Sequence, residues 1–200
     1  CYNLASPVIP KVDKLEDPEK VSAKYRKPED HSIIAFFSAL YRVESGATYR
    51  QHLPWLMGWI HPELHGCIPE REMSDVSWDA QTDCEHALLT KANLVVLLLD
   101  YRKCFDAFEP EWVRRFALAL GLDADLAESA AQLYKNLIRH IKIGNTYGDP
   151  LSASNGLGQA DSYSLLIALS FISIQFHFLT NKHPNIKMGS CLDDSCLLYT

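Results

Sequence analysis

Positive charge is scarce in this chain. Its 19 Lys and Arg are outnumbered by 25 Asp and Glu, for a formal net charge of −6 over 200 residues. Backbone phosphates are held mainly by Lys and Arg, so this balance excludes a broadly basic, self-sufficient nucleic-acid binder. Basic character is confined to two short stretches, Lys20-Lys24-Arg26-Lys27 and Arg139-His140-Lys142. Cysteine pairing motifs are absent as well. Cys1, Cys67, Cys84, Cys104, Cys191 and Cys196 form no CxxC pair and no regular framework. That excludes a zinc ribbon and a disulfide scaffold and points to a reduced, intracellular setting, nucleus and cytoplasm being left open. No signal-peptide pattern is visible. The longest apolar run, Leu165 to Leu179, is interrupted by Ser170, Ser173, Gln175 and His177. It is shorter than the ~20 residues that span a bilayer, so it is read as a buried helix. Internal repeats and low-complexity tracts are missing too.

What is present is a globular composition. With 48% hydrophobic and 22% charged residues, the chain can bury a core. It starts at Cys1 and stops at Thr200 after an apolar stretch, and so reads as part of a longer protein. Residues 1–30 are polar, with prolines at 7, 10, 18 and 28, and 1–23 reads as a loosely ordered lead-in. The apolar spacing of SIIAFFSALYRV predicts a helix over 32–43, and QHLPWLMGWI predicts a second after Pro54. Pro62, Gly66 and Pro69 predict a loop over 61–71. A helix is expected over 75–91 with Ser74 or Asp75 as N-cap. The six apolar residues 94–99, ending at Asp100, predict a strand buried on both faces. Helices follow over 110–120, stopped by Gly121, and over 125–141, where apolar residues recur at 126, 130, 133, 134, 137, 138 and 141. Residues 144–158 read as a loop, 163–179 as an apolar helix and 181–185 as a turn. Residues 186–200 read as strand, tight turn, strand around Asp193-Asp194. The class is α+β.

The carboxylates carry the chemistry. Asp100 ends a strand, where a side chain is held rigidly; alone it also fits a turn or cap. Asp193-Asp194 occupies a hairpin tip, a common place for Asp, yet two adjacent like charges gain nothing unless a cation neutralises them. One carboxylate at a strand end and two at a hairpin tip can meet across neighbouring strands. Such an oxygen-only set suits Mg²⁺, which binds through one or two carboxylates plus substrate phosphates. Two such ions ~4 Å apart can activate a hydroxyl and stabilise a leaving oxygen. The histidines are scattered, and His177 on the apolar helix is read as a core residue.

The residues around these carboxylates carry a resemblance. LLLDYRKCFDAF (97–108) resembles motif A of reverse transcriptases of the non-LTR retrotransposon and group II intron type. GLGQADSYSLL (156–166) resembles their motif B, GLPQGDPLSPLL, and CLDD (191–194) stands where motif C places an aromatic-x-Asp-Asp. Upstream, DHSIIAFFSALYR (30–42) is similar to the finger segment YRPISLLSVLYK, and HPELHGCIPER (61–71) to HPSQHGFRPGRS. The ordered set spans about residues 24–200. YGDPLS (147–152) also looks like QGDPLS, but Asn155, Gly156 and Gly158 follow it and would break the helix that motif B opens.

The resemblance implies a right-hand palm, an antiparallel sheet backed by helices, over 93–200. Partial fingers would occupy 24–92, with the thumb absent. It implies an RNA-directed DNA polymerase: an RNA template, a DNA or RNA primer, deoxynucleoside triphosphates, and two Mg²⁺ or Mn²⁺ ions. Asp100 and Asp193 would bind metal, and Asp194 would complete the pair or orient the primer end. Phe105, five residues after Asp100, matches the aromatic under the incoming sugar, whose bulk rejects a 2′-hydroxyl. RNA-dependent RNA polymerases carry Asp at that spacing, whereas here Asp stands at 106. Gln159 matches the motif B residue near the templating base, Lys103 the motif A lysine, and Arg71 the finger arginine. The chain also departs from the pattern. His31 stands where Arg is usual, so a permanent bidentate cation is replaced by a group mostly neutral at pH 7. Ala160 replaces Gly, Cys191 the aromatic, and Cys67-Ile68 the usual Phe-Arg. These departures, with the acidic balance, keep a second reading open: an inactive retroelement relic, or a domesticated palm that only binds nucleic acid or protein.

Overall fold

Strands and helices alternate along the chain without a repeating unit. A computed structural model describes residues 3–10, 31–33, 36–101, 103–143, 145–159, 161–192 and 194–199, with the backbone alone for 3–10 and 31–33. In chain order the elements are β1 (Asn3–Pro10), β2 (His31–Ile33), α1 (Ala39–Met57), β3 (Leu64–His65), α2 (Met73–Thr90), β4 (Val95–Asp100), α3 (Cys104–Ala107), α4 (Pro110–Ala119), α5 (Ala124–Lys135), β5 (Ile138–Ile143), β6 (Thr146–Ser152), α6 (Ser162–Lys182), β7 (Ile186–Cys191) and β8 (Asp194–Tyr199). They fall into two units, Cys1–Gly46 with Asp106–Asp161, and Ala47–Phe105 with Ser162–Thr200.

The first unit carries a four-stranded sheet in the order β2-β1-β5-β6. β1 runs parallel to β5, and the other two pairings are antiparallel. α4 starts at Pro110, whose fixed φ suits a first helical position, and the chain turns at Gly121 with φ +80°. α5 is capped by Asp123, whose Oδ1 accepts from the Leu126 N–H at 3.0 Å. The helices bury Val113, Ala117, Ala127, Ala130 and Tyr134.

Four expectations change in this unit. Residues 3–10 form β1 rather than a loose lead-in; the rest of that lead-in lies outside the described residues. The helix expected over 32–43 starts only at Ala39, because the backbone of 31–33 pairs with β1. The helix expected over 125–141 stops at Lys135, and Ile138–Ile143 becomes β5. That segment finds ladders on both sides, with β1 and with β6, and tertiary pairing overrides local period. Its partner β6 occupies much of the expected 144–158 loop; Pro150, lacking an N–H, is tolerated there because β6 ends the sheet.

The second unit carries a sheet in the order β3-β7-β8-β4. β7 and β8 form the expected hairpin, and β8 pairs antiparallel with β4. The apolar run at 94–99 does form a strand, but one buried on both faces it is not. Leu97 is 50% exposed and Leu98 75%, on opposite faces by alternation, and among the described residues β4 ends the sheet, paired with β8. A continuous apolar run does not by itself distinguish an interior strand from an end strand.

α2 starts two residues before the expected start at Asp75, and its N-cap is Glu72, not Ser74 or Asp75. The Glu72 side chain accepts from the Asp75 backbone, while Asp75 Oδ2 accepts from the Glu72 N–H at 3.0 Å. Pro54 lies inside α1 instead of ahead of a new helix. The 61–71 segment is irregular apart from the two-residue β3. α6 continues to Lys182, past the expected turn at 181. By length and composition it could cross a membrane, but Leu166, Leu169, Ile172 and Phe176 are buried in this fold. Two of its buried serines, Ser170 and Ser173, are hydrogen-bonded. Ser170 donates to the Leu166 carbonyl at 2.7 Å, and Ser173 accepts from the His61 N–H at 2.8 Å.

Candidate functional site

The β4–β8–β7 corner of the second unit gathers the carboxylates. Register places Asp100, the last residue of β4, directly opposite Asp194, the first of β8, and Asp194 opposite Cys191 of β7. Two like charges facing each other across an antiparallel pair are destabilising, so the sheet itself draws no benefit from this choice. Leu192 turns the chain with φ +56°. Asp193 lies outside the described residues.

Small hydroxyls hold the hairpin tip. Ser190 donates to the Leu192 carbonyl at 2.7 Å, and Ser195 donates to Ser190 at 3.2 Å; both serines are buried. On the Asp100 side, the Tyr101 phenol donates to Gln175 Oε1 of α6. Burial pushes the Tyr101 phenol above its ordinary pKa, opposed by its hydrogen bonds with Gln175 and Ser195. These four supporting residues were missed in the sequence reading. Ser190 and Ser195 had a visible signal, as small polar residues flanking an acidic pair within apolar strands. Tyr101–Gln175 spans 74 residues and had none.

Alternation places Leu98, Asp100, Asp194, Cys196 and Gly189 on one sheet face. α2 lies against that face: a Cβ added at Gly189 would come within 2.5 Å of Val76 Cγ1. Between them opens a cleft of about 380 Å³, lined by Met73, Val76 and Ser77 of α2 and by Asp100, Cys191 and Asp194. An oxygen-only pair beside an open cleft is a donor set for a hard divalent cation that keeps other positions for phosphate oxygens. Among the described residues, no group of three or more His, Cys, Asp or Glu side chains is placed to hold a metal ion.

The other predicted residues are spread around this corner and beyond it. Lys103 is exposed with φ +52°, and Phe105 is half-buried on α3; both stand in the same unit as Asp100. Arg71 braces the 61–71 loop, with Nη1 donating to the carbonyls of His61 and Leu64, each at 2.9 Å. Gln159 is half-buried in a turn of the first unit. Two residues on, Asp161 is buried, and its Oδ2 accepts from Tyr41 at 3.1 Å and from Tyr134. The motif B helix begins at Ser162, and the rejected stretch 147–152 is strand. His31 is described by its backbone in β2, and Ala160 lies outside the described residues.

His61 anchors the loop that Arg71 braces. It is 5% exposed. Its Nδ1 accepts from the Glu63 N–H at 3.3 Å, which places the ring proton on Nε2, donating to Thr180 at 3.0 Å. Burial lowers its pKa, reinforced by His177 and then Arg71.

In sequence, the chain matches no protein-family profile and no curated protein. In structure it is similar to the telomerase of Candida albicans in complex with the TWJ fragment of telomeric RNA. The TM-score is 0.64 at 14% identity, covering 99% of this chain and 37% of that one. It is also similar to the Candida tropicalis telomerase in complex with the same kind of fragment (TM-score 0.58, 13% identity, 86% of this chain and 35% of that one). A third, apo Candida tropicalis telomerase truncated from its C-terminal domain, gives a TM-score of 0.54 at 15% identity, over 80% of this chain and 34% of that one. The chain thus shares with these telomerase structures a mixed α+β fold. The chain spans roughly a third of the length of these structures.

Proposed function

We propose that this chain is the palm and part of the fingers of an RNA-directed DNA polymerase of the non-LTR retrotransposon and group II intron type. The observation that carries the proposal is the register: motif A's Asp100 faces motif C's Asp194 at the ends of adjacent strands, beside an open cleft. Residues 24–92 would be the fingers portion and 93–200 the palm, in an intracellular protein whose thumb lies elsewhere. The telomeric RNA held by two of the structural neighbours supports RNA as the template partner.

Asp100, Asp193 and Asp194 would hold two Mg²⁺ or Mn²⁺ ions. When bound, the ions would supply charge neutralisation for transfer of a deoxynucleotide to a primer 3′-hydroxyl, with pyrophosphate leaving. The chain's own residues do the positioning. Ser190 and Ser195 fix the hairpin tip, and Tyr101 ties the Asp100 end of β4 to α6. Phe105 limits space beside the sugar and Gln159 borders the templating base. Lys103 and Arg71 meet the anionic substrate, with Arg71 also bracing its own loop.

A second reading is an inactive relic or domesticated palm that binds nucleic acid or protein without chemistry. The −6 charge and His31 in place of a finger arginine favour it. Primer extension on an RNA template by the full-length protein, with Mg²⁺ or Mn²⁺, separates the two. The polymerase reading expects deoxynucleotide incorporation. Phe105→Ala should then raise ribonucleotide incorporation relative to wild type by about tenfold or more, a step of the size that small steric changes in a pocket produce. No incorporation by wild type with either ion favours the relic.

A further inference from the structure

We infer that the β5–β6 hairpin of the first unit is a stacking platform for single-stranded nucleic acid, built on Tyr147, Lys142 and His140. Under the polymerase reading, the strand it holds is the template. The chain has a net charge of −6, so any electrostatic grip on phosphates must be local. One of its two basic stretches, Arg139-His140-Lys142, lies on β5, and Asp149 is the only acidic residue between 138 and 152.

The strand geometry sorts these residues. Period-two alternation places His140 and Lys142 on the same face, apart from Arg139. Register sets Lys142 opposite Tyr147 and His140 opposite Pro150, with an irregularity between them. The Lys142 Nζ lies 5.4 Å from the Tyr147 ring centroid, and Tyr147 remains 56% exposed. His140 is fixed at the irregularity, its Nδ1 donating to the Gly148 carbonyl at 3.1 Å, which leaves Nε2 as the ring's other polar atom. Arg139 has a different job: its Nη2 donates to the Asn155 carbonyl at 3.2 Å and to the Gly156 carbonyl at 2.8 Å, bracing the loop ahead of Gln159.

An exposed aromatic ring with a cation at one side and an imidazole along the strand is the combination that binds single strands. Bases stack on the ring and the cations track the backbone, whatever the sequence. A duplex, with its bases already stacked, has less to gain from Tyr147.

Fluorescence anisotropy with the 200-residue chain tests this, using labelled 12-nucleotide single-stranded RNA and DNA of one sequence and the matching duplex. Tyr147→Ala should weaken binding of at least one single strand about fivefold or more, while Tyr147→Phe keeps wild-type affinity. Lys142→Gln should lower the slope of log K against log salt by about 0.7. Unchanged circular dichroism in all three variants separates lost binding from lost folding. The inference is overturned if the wild type binds neither strand, if Tyr147→Ala and Lys142→Gln both bind as wild type does, or if Tyr147→Phe loses as much as Tyr147→Ala. These readouts are independent of primer extension. Normal binding by the variants beside active extension removes the platform and leaves the polymerase. Lost binding by the variants beside absent extension does the reverse.

Discussion

The proposed function would place a metal-binding demand and a structural cost on the same pair, Asp100 and Asp194. Facing carboxylates repel in the absence of a cation, by up to about 1 kcal/mol for a cross-strand pair. Asp194→Asn should therefore melt a few degrees above wild type in EDTA, since ~1 kcal/mol moves Tm by about 2–4 °C in a chain of this size. Adding Mg²⁺ should raise the wild-type Tm and leave the variant nearly unmoved. A variant that melts lower in EDTA would show that the two carboxylates do not repel.

His61 makes a second residue-scale statement. Its pKa is depressed in the folded state, first by burial and then by His177 and Arg71. The unfolded chain therefore takes up a proton at this site more readily than the folded one. Its contribution to stability is fully present above the unfolded value of about 6.5 and is lost as pH falls towards the lower folded value. Urea midpoints should fall between pH 7.5 and 5, and His61→Gln should flatten that profile. A wild-type profile as flat as the variant's would contradict this assignment.

At the scale of elements, α2 packs closely on β7. Gly189→Ala would drive a methyl to within 2.5 Å of Val76, a β-branched side chain stiff at χ1. Overpacking of this kind costs about 1–3 kcal/mol. Val76→Ala in the same chain should restore most of the loss in a denaturant titration, and equal stability of Gly189→Ala and wild type would refute the close packing. The elements also show what a sequence can reveal. α6 and the β7–β8 hairpin were legible because their signals are local, a long apolar run and an acidic turn between apolar strands. β5 was not. Ile138 and Ile141 continue the helical spacing of Tyr134 and Leu137, and pairing of their segment with β6 and with β1, more than 130 residues earlier, turns it into strand. For β4 the strand was legible but its burial was not, because burial depends on neighbours elsewhere in the chain.

At the scale of the whole molecule, each of the two units draws on segments far apart in sequence. Motif order alone did not reveal that interleaving. Asp100 and the Asp193-Asp194 pair could be singled out from residue type and flanking apolar runs, and the fold then brought Asp100 and Asp194 into register. Tyr101 and Gln175 could not be read in the same way, since their contact is made by chain closure over 74 residues. The structural neighbours share the fold at 13–15% identity, so the proposed chemistry is argued from this chain's own carboxylates.

The most direct measurement is therefore single-turnover primer extension on an RNA template by the full-length protein, comparing wild type with Asp100→Asn and Asp194→Asn in Mg²⁺ and in Mn²⁺. Wild type should add deoxynucleotides, and each variant, unchanged in its circular dichroism, should be slower by at least ~10²-fold, the scale of losing one preorganised electrostatic group. Extension by either variant at the wild-type rate would contradict the account.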